Sequence, residues 1–150
     1  MIDEIDKKII KELTKNSKIK YKDLVRSIGI TAPTIQRRIK RMEKEGIIIG
    51  YTILLDREKV KKDIMAIVGI YTSPGTLEFS KQITKDFLKI KEINSVFYVT
   101  GEYNFCAIII CSSIKELNRV LDKISSIQGV TRTVTSIVLD VAKERLIIDL

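Results

Sequence analysis

The chain contains no histidine, which removes the imidazole on which most general-base, nucleophile-activating and zinc-binding arrangements rely. It also lacks the GxSxG elbow and the phosphate-cradling GxxxxGKS or GxxxxGKT loop. Cysteine is scarce. Cys106 and Cys111 lie in one apolar run at an odd separation, so in a strand they face opposite sides of the sheet. That geometry excludes a bridge between them, their spacing suits no metal, and buried free thiols are expected. No apolar run approaches the ~20 residues of a membrane-spanning helix. The start, MIDEIDKK, is acidic and amphipathic where a secretory signal is basic and then apolar. A cytoplasmic protein without membrane, metal, cofactor or catalytic residues is expected. Isolated carboxylates such as Asp86, Glu116 and Asp140 read as solvated surface charges.

Positive charge is what the chain has in excess. Its 150 residues carry 27 Lys and Arg against 19 Asp and Glu, a net charge of +8. Residues 1–60 hold +6 of it, leaving +2 for the rest. Between Ser17 and Lys44 there are nine cations and two acids, Asp23 and Glu43. Such a field attracts polyanions and weakens with salt. Lysine-rich surfaces also suit hot environments, so charge alone supports nucleic acid only modestly.

The pattern inside that basic region is more specific. In LVRSIGITAPTIQRRIKR, residues 24–41, Tyr21, Leu24, Val25 and Ile28 make a short amphipathic helix whose stop is Gly29, the residue able to take a left-handed conformation. A second helix restarts at once, with Thr31 as N-cap, Pro33 in its first turn and Ile30 placed to staple against Ile35. Ile35, Ile39 and Met42 then share one stripe, while Pro33, Arg37, Lys40 and Lys44 point directly away. Thr34, Gln36 and Arg41 flank that outward face. Arg38 lies nearer the core edge, where its stem can pack while its guanidinium emerges. Hydroxyl, amide and guanidinium groups on one face are the types that bond base edges and phosphate oxygens in a major groove. The pair reads as helix-turn-helix; an ordinary helical hairpin with a solvated basic face lacks a reason for the tight turn and the cap. The candidate DNA-binding residues are Thr31, Pro33, Thr34, Gln36, Arg37, Arg38, Lys40 and Arg41.

Asp3 can cap a preceding helix whose stripe is Ile5, Ile9, Ile10 and Leu13, giving a three-helix, winged-type unit over residues 1–50. IIIGYTILLD then turns β-rich and reads as a strand or short ribbon. The charged DREKVKKD completes a strand and linker over 51–63. From residue 64 to 150 the period alternates: IMAIVGIYT as strand, Thr76 to Lys91 as helix, INSVFYVT and YNFCAIIIC as strands, Ser113 to Ile127 as helix, VTRTVTSIVLDV as strand. The helices are marked by Phe79, Ile83, Phe87 and Ile90, and by Ile114, Leu117, Leu121 and Ile124. The order βαββαβ with right-handed crossovers gives a four-stranded antiparallel sheet with both helices on one face, a ferredoxin-like domain in an α+β chain. Because the strands are apolar at consecutive positions, the uncovered face needs a partner, and a second copy is the simplest. A homodimer places two basic helices about a two-fold axis, as a palindromic site requires.

Taken together, IDKKIIKEL, NSKIKYKDLVRSIGITAPTIQRRIKRMEKEGIIIGYTILLD, VTGEYNFCAIII and TSIVLDVAK resemble the leucine-responsive or AsnC (Lrp/AsnC) regulators, the feast/famine regulatory proteins, of archaeal type. The resemblance covers essentially the whole chain. It implies a transcriptional regulator that binds double-stranded DNA at a palindromic operator through its N-terminal half. It also implies a C-terminal domain that senses an amino-acid effector, dimerises through its sheet and stacks dimers into an octamer or other higher oligomer. By resemblance the effector site lies at Gly101, Glu102, Tyr103 and Asn104, with Thr133, Thr135 and Ser136 facing it. Asn104 stands where the family has an acid and Glu102 where aspartate is usual. One fewer negative charge favours a neutral effector such as glutamine. A glycine admits backbone amides close to a ligand and a carboxylate suits an α-ammonium group; the same residues would also make a plain hairpin turn. The rival reading is an architectural protein that compacts or wraps DNA without an effector, and it uses the same basic helix.

Overall fold

A computed structural model describes residues 2–75, 77–144 and 148. Contacts divide the chain into two compact units, the first running to Leu54 and also including Lys143 and Glu144, the second spanning Leu55–Ala142.

The first unit holds α1 (Glu4–Lys15), α2 (Tyr21–Ile28) and α3 (Ala32–Lys44). Asp3 begins α1 with a reciprocal capping box: the Asp6 amide donates to Asp3 Oδ1 at 2.8 Å and the Asp3 amide to Asp6 Oδ2 at 3.1 Å. Gly29 ends α2 in the left-handed region, φ 82°, with its N–H on the Val25 carbonyl. Any side chain there would be strained. Thr31 occupies the N-cap position of α3, but its hydroxyl caps no amide and pairs instead with the Thr34 hydroxyl at 2.9 Å. Ile9, Leu24, Ile35, Ile39 and Met42 are buried together, with Ile5, Leu13, Ile28 and Ile30 packed around them. Each such side chain taken from water is worth about 1.5–3 kcal/mol, so three short helices hold through their shared apolar stripe.

The β-rich IIIGYTILLD segment, expected as a strand or ribbon, belongs to no sheet among the described residues. A strand needs a neighbour for its N–H and C=O groups, and none of the described residues pairs with this segment in a sheet. Ile49 is left 96% exposed.

The second unit contains β1 (Ile64–Thr72), α4 (Leu77–Phe87), β2 (Ile93–Tyr98), β3 (Phe105–Cys111), α5 (Ile114–Ser125) and β4 (Val130–Ile137). Thr76, where the sequence starts the first of these helices, lies outside the described residues. The sheet order is β2-β3-β1-β4, with every neighbouring pair antiparallel. This is the ferredoxin-like arrangement that the βαββαβ order requires. Ala66, Val68 and Ile70 of β1 and Phe105, Ala107, Ile109 and Cys111 of β3 face Ile83, Phe87, Leu117, Val120 and Ile124 in one core. Both cysteines are free. Cys111 lies in that core, where burial pushes its thiol up. Cys106 pairs with Gly69 on the opposite face.

Candidate nucleic-acid interface and ligand loop

α3 carries its cations in two different states. Arg37, Lys40 and Lys44 are exposed on the side away from Ile35, Ile39 and Met42, and no described ion pair holds them. Gln36 is exposed as well. Arg38 and Arg41 are engaged. Arg38 Nη1 donates to Asp3 Oδ2 at 2.7 Å and to Asp6 Oδ1 at 2.9 Å, and Arg41 Nη2 binds Asp6 Oδ2.

Asp6 is a fully buried carboxylate, and burial works against its charge. The Asp3 amide, Arg38 and Arg41 outweigh that penalty and hold the carboxyl below its ordinary value. Asp3, bonded by the Asp6 amide and by Arg38, is lowered to about 2. Arg38 is raised in turn by Asp3 and Asp6.

The outer flank of α3 has another anchor. The Tyr51 hydroxyl donates to Glu43 at 2.8 Å, and burial followed by that carboxylate pushes the phenol up to about 12. The sequence therefore lists eight candidates of one kind, and the structure sorts them. Thr31 and Thr34 bond each other, Arg38 and Arg41 bond α1, and Pro33, Gln36, Arg37 and Lys40 remain open to a ligand.

In the second unit the loop between β2 and β3 is drawn onto the end of β1. Gly101 has φ 131°, a conformation that favours glycine. The Asn104 amide donates to the Ile70 carbonyl at 3.0 Å, and the Asn104 side-chain oxygen accepts the Thr72 amide at 2.8 Å. Asn104 thus pins the loop with the oxygen it shares with an aspartate.

Glu102 accepts the Tyr71 hydroxyl at 2.7 Å, which raises the phenol. Arg132 lies 5.1 Å over the Tyr71 ring, and Tyr103 meets that ring edge-on at 6.3 Å. Tyr103 can lie flat on the sheet because Gly69 has no side chain: a Cβ there would come within 2.8 Å of Cδ1.

Tyr71, Arg132 and Gly69 escaped the sequence reading. A lone glycine in a strand is itself a signal of close approach, but no sequence rule pairs it with Tyr103. The hydroxyl residues of β4 divide by strand alternation. Thr133 and Thr135 pair with Ile70 and Val68 and so face the helices, whereas Ser136 pairs with Ile67 on the open face. Ser136 sits four positions from Arg132, roughly 13 Å along the strand. Within one chain these three residues are not gathered at the loop.

Residues 2–49 match the winged helix-turn-helix DNA-binding family, and residues 65–148 match the Lrp/AsnC ligand binding domain. The chain belongs to the Lrp/AsnC family.

It is 37% identical over 144 residues to an uncharacterised HTH-type transcriptional regulator of Pyrococcus abyssi, covering 96% of each chain. It is 35% identical to the HTH-type transcriptional regulator FL11 of Pyrococcus furiosus, covering 96% of this chain and 93% of that one. Among solved structures, AsnC of E. coli aligns with a TM-score of 0.88 at 28% identity over 98% of both chains. A Neisseria meningitidis regulator solved with L-methionine aligns at 0.86 and 24% identity, covering 97% of this chain and 95% of that one.

This Lrp/AsnC protein is therefore a transcriptional regulator that joins a DNA-binding helix-turn-helix to the family's ligand-binding domain. No helix among its described residues is long and apolar enough to cross a membrane, and none of their His, Cys, Asp or Glu side chains group as a metal site.

Proposed function

We propose that this regulator acts in the cytoplasm without enzymatic activity, as a homodimer that reads a palindromic operator with α3 of each copy. A small amino acid at the Gly101–Asn104 loop sets its DNA affinity or oligomeric state. The observation that carries this reading is the face of α3 opposite its core, where Arg37 and Lys40 stand exposed beside Gln36 with no acid among the described residues paired to them. The same face supports sequence reading over simple coating, because Arg37 offers a pair of donors and Gln36 a donor beside an acceptor, the bidentate patterns that base edges select.

Homodimerisation, and stacking of dimers toward an octamer, is supported by the uncovered sheet face. Phe97 is 51% exposed there, alongside Ile67 and Val134. At the loop, Glu102 suits an α-ammonium group and Arg132 an α-carboxylate. Asn104 supplies no second negative charge, which favours a neutral effector; the Neisseria relative's L-methionine is of that class. Thr133, Thr135 and Ser136 enter such a site only where a second copy brings its own strand to the loop.

The test is a thermal-shift screen of the twenty amino acids, with hits repeated in DNA-binding titrations. A ligand at 100 times its dissociation constant adds about 2.7 kcal/mol of stability, and Glu102→Gln is expected to erase that shift while basal DNA binding survives. If no amino acid moves either the melting temperature or DNA affinity, effector sensing is refuted.

A further inference from the structure

We propose that Asp6 is a positioning residue of the DNA-binding unit. By holding Arg41, and Arg38 jointly with Asp3, it denies both guanidinium groups to nucleic acid, leaving Arg37, Lys40 and Lys44 as the cations with which α3 meets phosphate. This rests on the reading of α3 as the DNA-contacting helix.

Helical position alone does not separate these arginines. Arg41 follows Arg37 by four residues, only about 40° around the helix, so the pattern sends both toward the same groove. What separates them is a carboxylate thirty-five residues upstream. Asp6 is the buried charged residue among those described. Both of its oxygens are committed, Oδ1 to Arg38 and Oδ2 to Arg41 and the Asp3 amide.

The engaged arginines are also partly withdrawn from solvent. The Arg38 side chain is 22% exposed and the Arg41 side chain 40%, and Arg41 Nε is buried without a hydrogen-bond partner. Swinging Arg41 out to a phosphate would leave a buried carboxylate short of a partner, the costly half of any buried pair. The return would be one solvent-screened contact. The ion pair therefore wins, and the charge α3 shows to DNA is smaller than its sequence suggests.

The experiment measures binding of the full chain to a mixed-sequence duplex by fluorescence anisotropy across a potassium chloride series. Each phosphate contact contributes about 0.9 to the slope of log affinity against log salt. That slope is insensitive to a constant inactive fraction, so lost stability does not imitate a lost contact.

Arg37→Gln and Lys40→Gln are expected to flatten the slope by about 0.9 per bound chain. Arg38→Gln and Arg41→Gln should leave it unchanged, and Asp6→Asn should steepen it by releasing Arg41, while Arg38 keeps its bond to Asp3. Flattening by Arg41→Gln as large as that by Arg37→Gln overturns the proposal, as does an unchanged slope in folded Asp6→Asn. Should Asp6→Asn fail to fold, the two arginine variants decide alone. A slope that no α3 substitution moves removes this helix from the DNA and ends both readings, whereas a clamp failure alone shows as Arg41 behaving like Arg37.

Discussion

Replacing Gly69 with alanine tests the geometry of the ligand loop through a single methyl group. Gly69 is buried in β1 and does not have a positive φ, so alanine fits its backbone. The obstacle is Tyr103, whose Cδ1 would lie 2.8 Å from the new Cβ and whose Cε1 and Cγ would lie 3.1 Å away. Carbon atoms settle at about 3.5–4.0 Å, so the ring has to retreat by roughly 0.7–1.2 Å. If it stays on the sheet under strain, the cost is about 1–2 kcal/mol. If it swings away, it forfeits the edge contact with Tyr71, a loss of similar size at about 0.5–1.5 kcal/mol.

In a Tyr103→Ala background the obstacle is gone. Alanine then restricts the unfolded chain more than glycine does, so the same substitution should be neutral or stabilising by about 0.5 kcal/mol. The double-mutant cycle is thus expected to show a coupling of about 1–2 kcal/mol, with the sign of Gly69→Ala reversing between backgrounds. Urea unfolding of the four proteins at one fixed concentration measures it, provided their m values agree. Additivity within about 0.3 kcal/mol would mean that Tyr103 does not lie on Gly69.

The Asp3–Asp6–Arg38–Arg41 cluster gives the protein a pH signature. Both carboxyls are lowered on folding, so their stabilisation is present above their unfolded values and is lost as pH falls through the folded ones, which for Asp3 lies at about 2. Acid titration of Asp6→Asn, followed by circular dichroism, should show a shallower fall in stability below the ordinary aspartate range than the unsubstituted protein; equal slopes would contradict the pairing. At neutral pH the same variant should lose about 2 kcal/mol, less than the 3–5 typical of a fully buried pair because Arg38 keeps Asp3 and Arg41 can turn to solvent. For DNA recognition, Arg37→Ala is expected to weaken specific binding by about 1–3 kcal/mol where the side chain reaches a base, without altering the oligomer seen by analytical ultracentrifugation. Ile83→Ala, at a buried α4 position facing the sheet, should cost about 2–5 kcal/mol; a loss under one would show that the helix is not seated there.

Much of this protein is legible in one dimension because the decisive signals are local. The stop at Gly29, the restart before Pro33 and the stripe of Ile35, Ile39 and Met42 each depend on residues within one or two helical turns. The same holds for the Phe79, Ile83 and Phe87 stripe of α4, and the alternation of helical and strand periods then permits few topologies. Strand pairing of IIIGYTILLD was not recoverable in the same way, since β propensity describes a surface that fits a sheet and says nothing of whether a neighbouring strand is available.

The sequence by itself determined the two-part plan, the helix-turn-helix, the βαββαβ order and the placing of the cysteines on opposite faces. Only the tertiary structure decided which arginines α3 keeps free, because Asp6 and Arg41 are brought together by the packing of α1 against α3 and share no local pattern. It also assembled Tyr71, Glu102, Tyr103 and Arg132 at one end of the sheet while setting Ser136 apart from Thr133 and Thr135. Charge and hydrogen bonding act across space in ångströms, whereas helix and strand periodicity act along the chain, and a partner many residues away is visible only to the first.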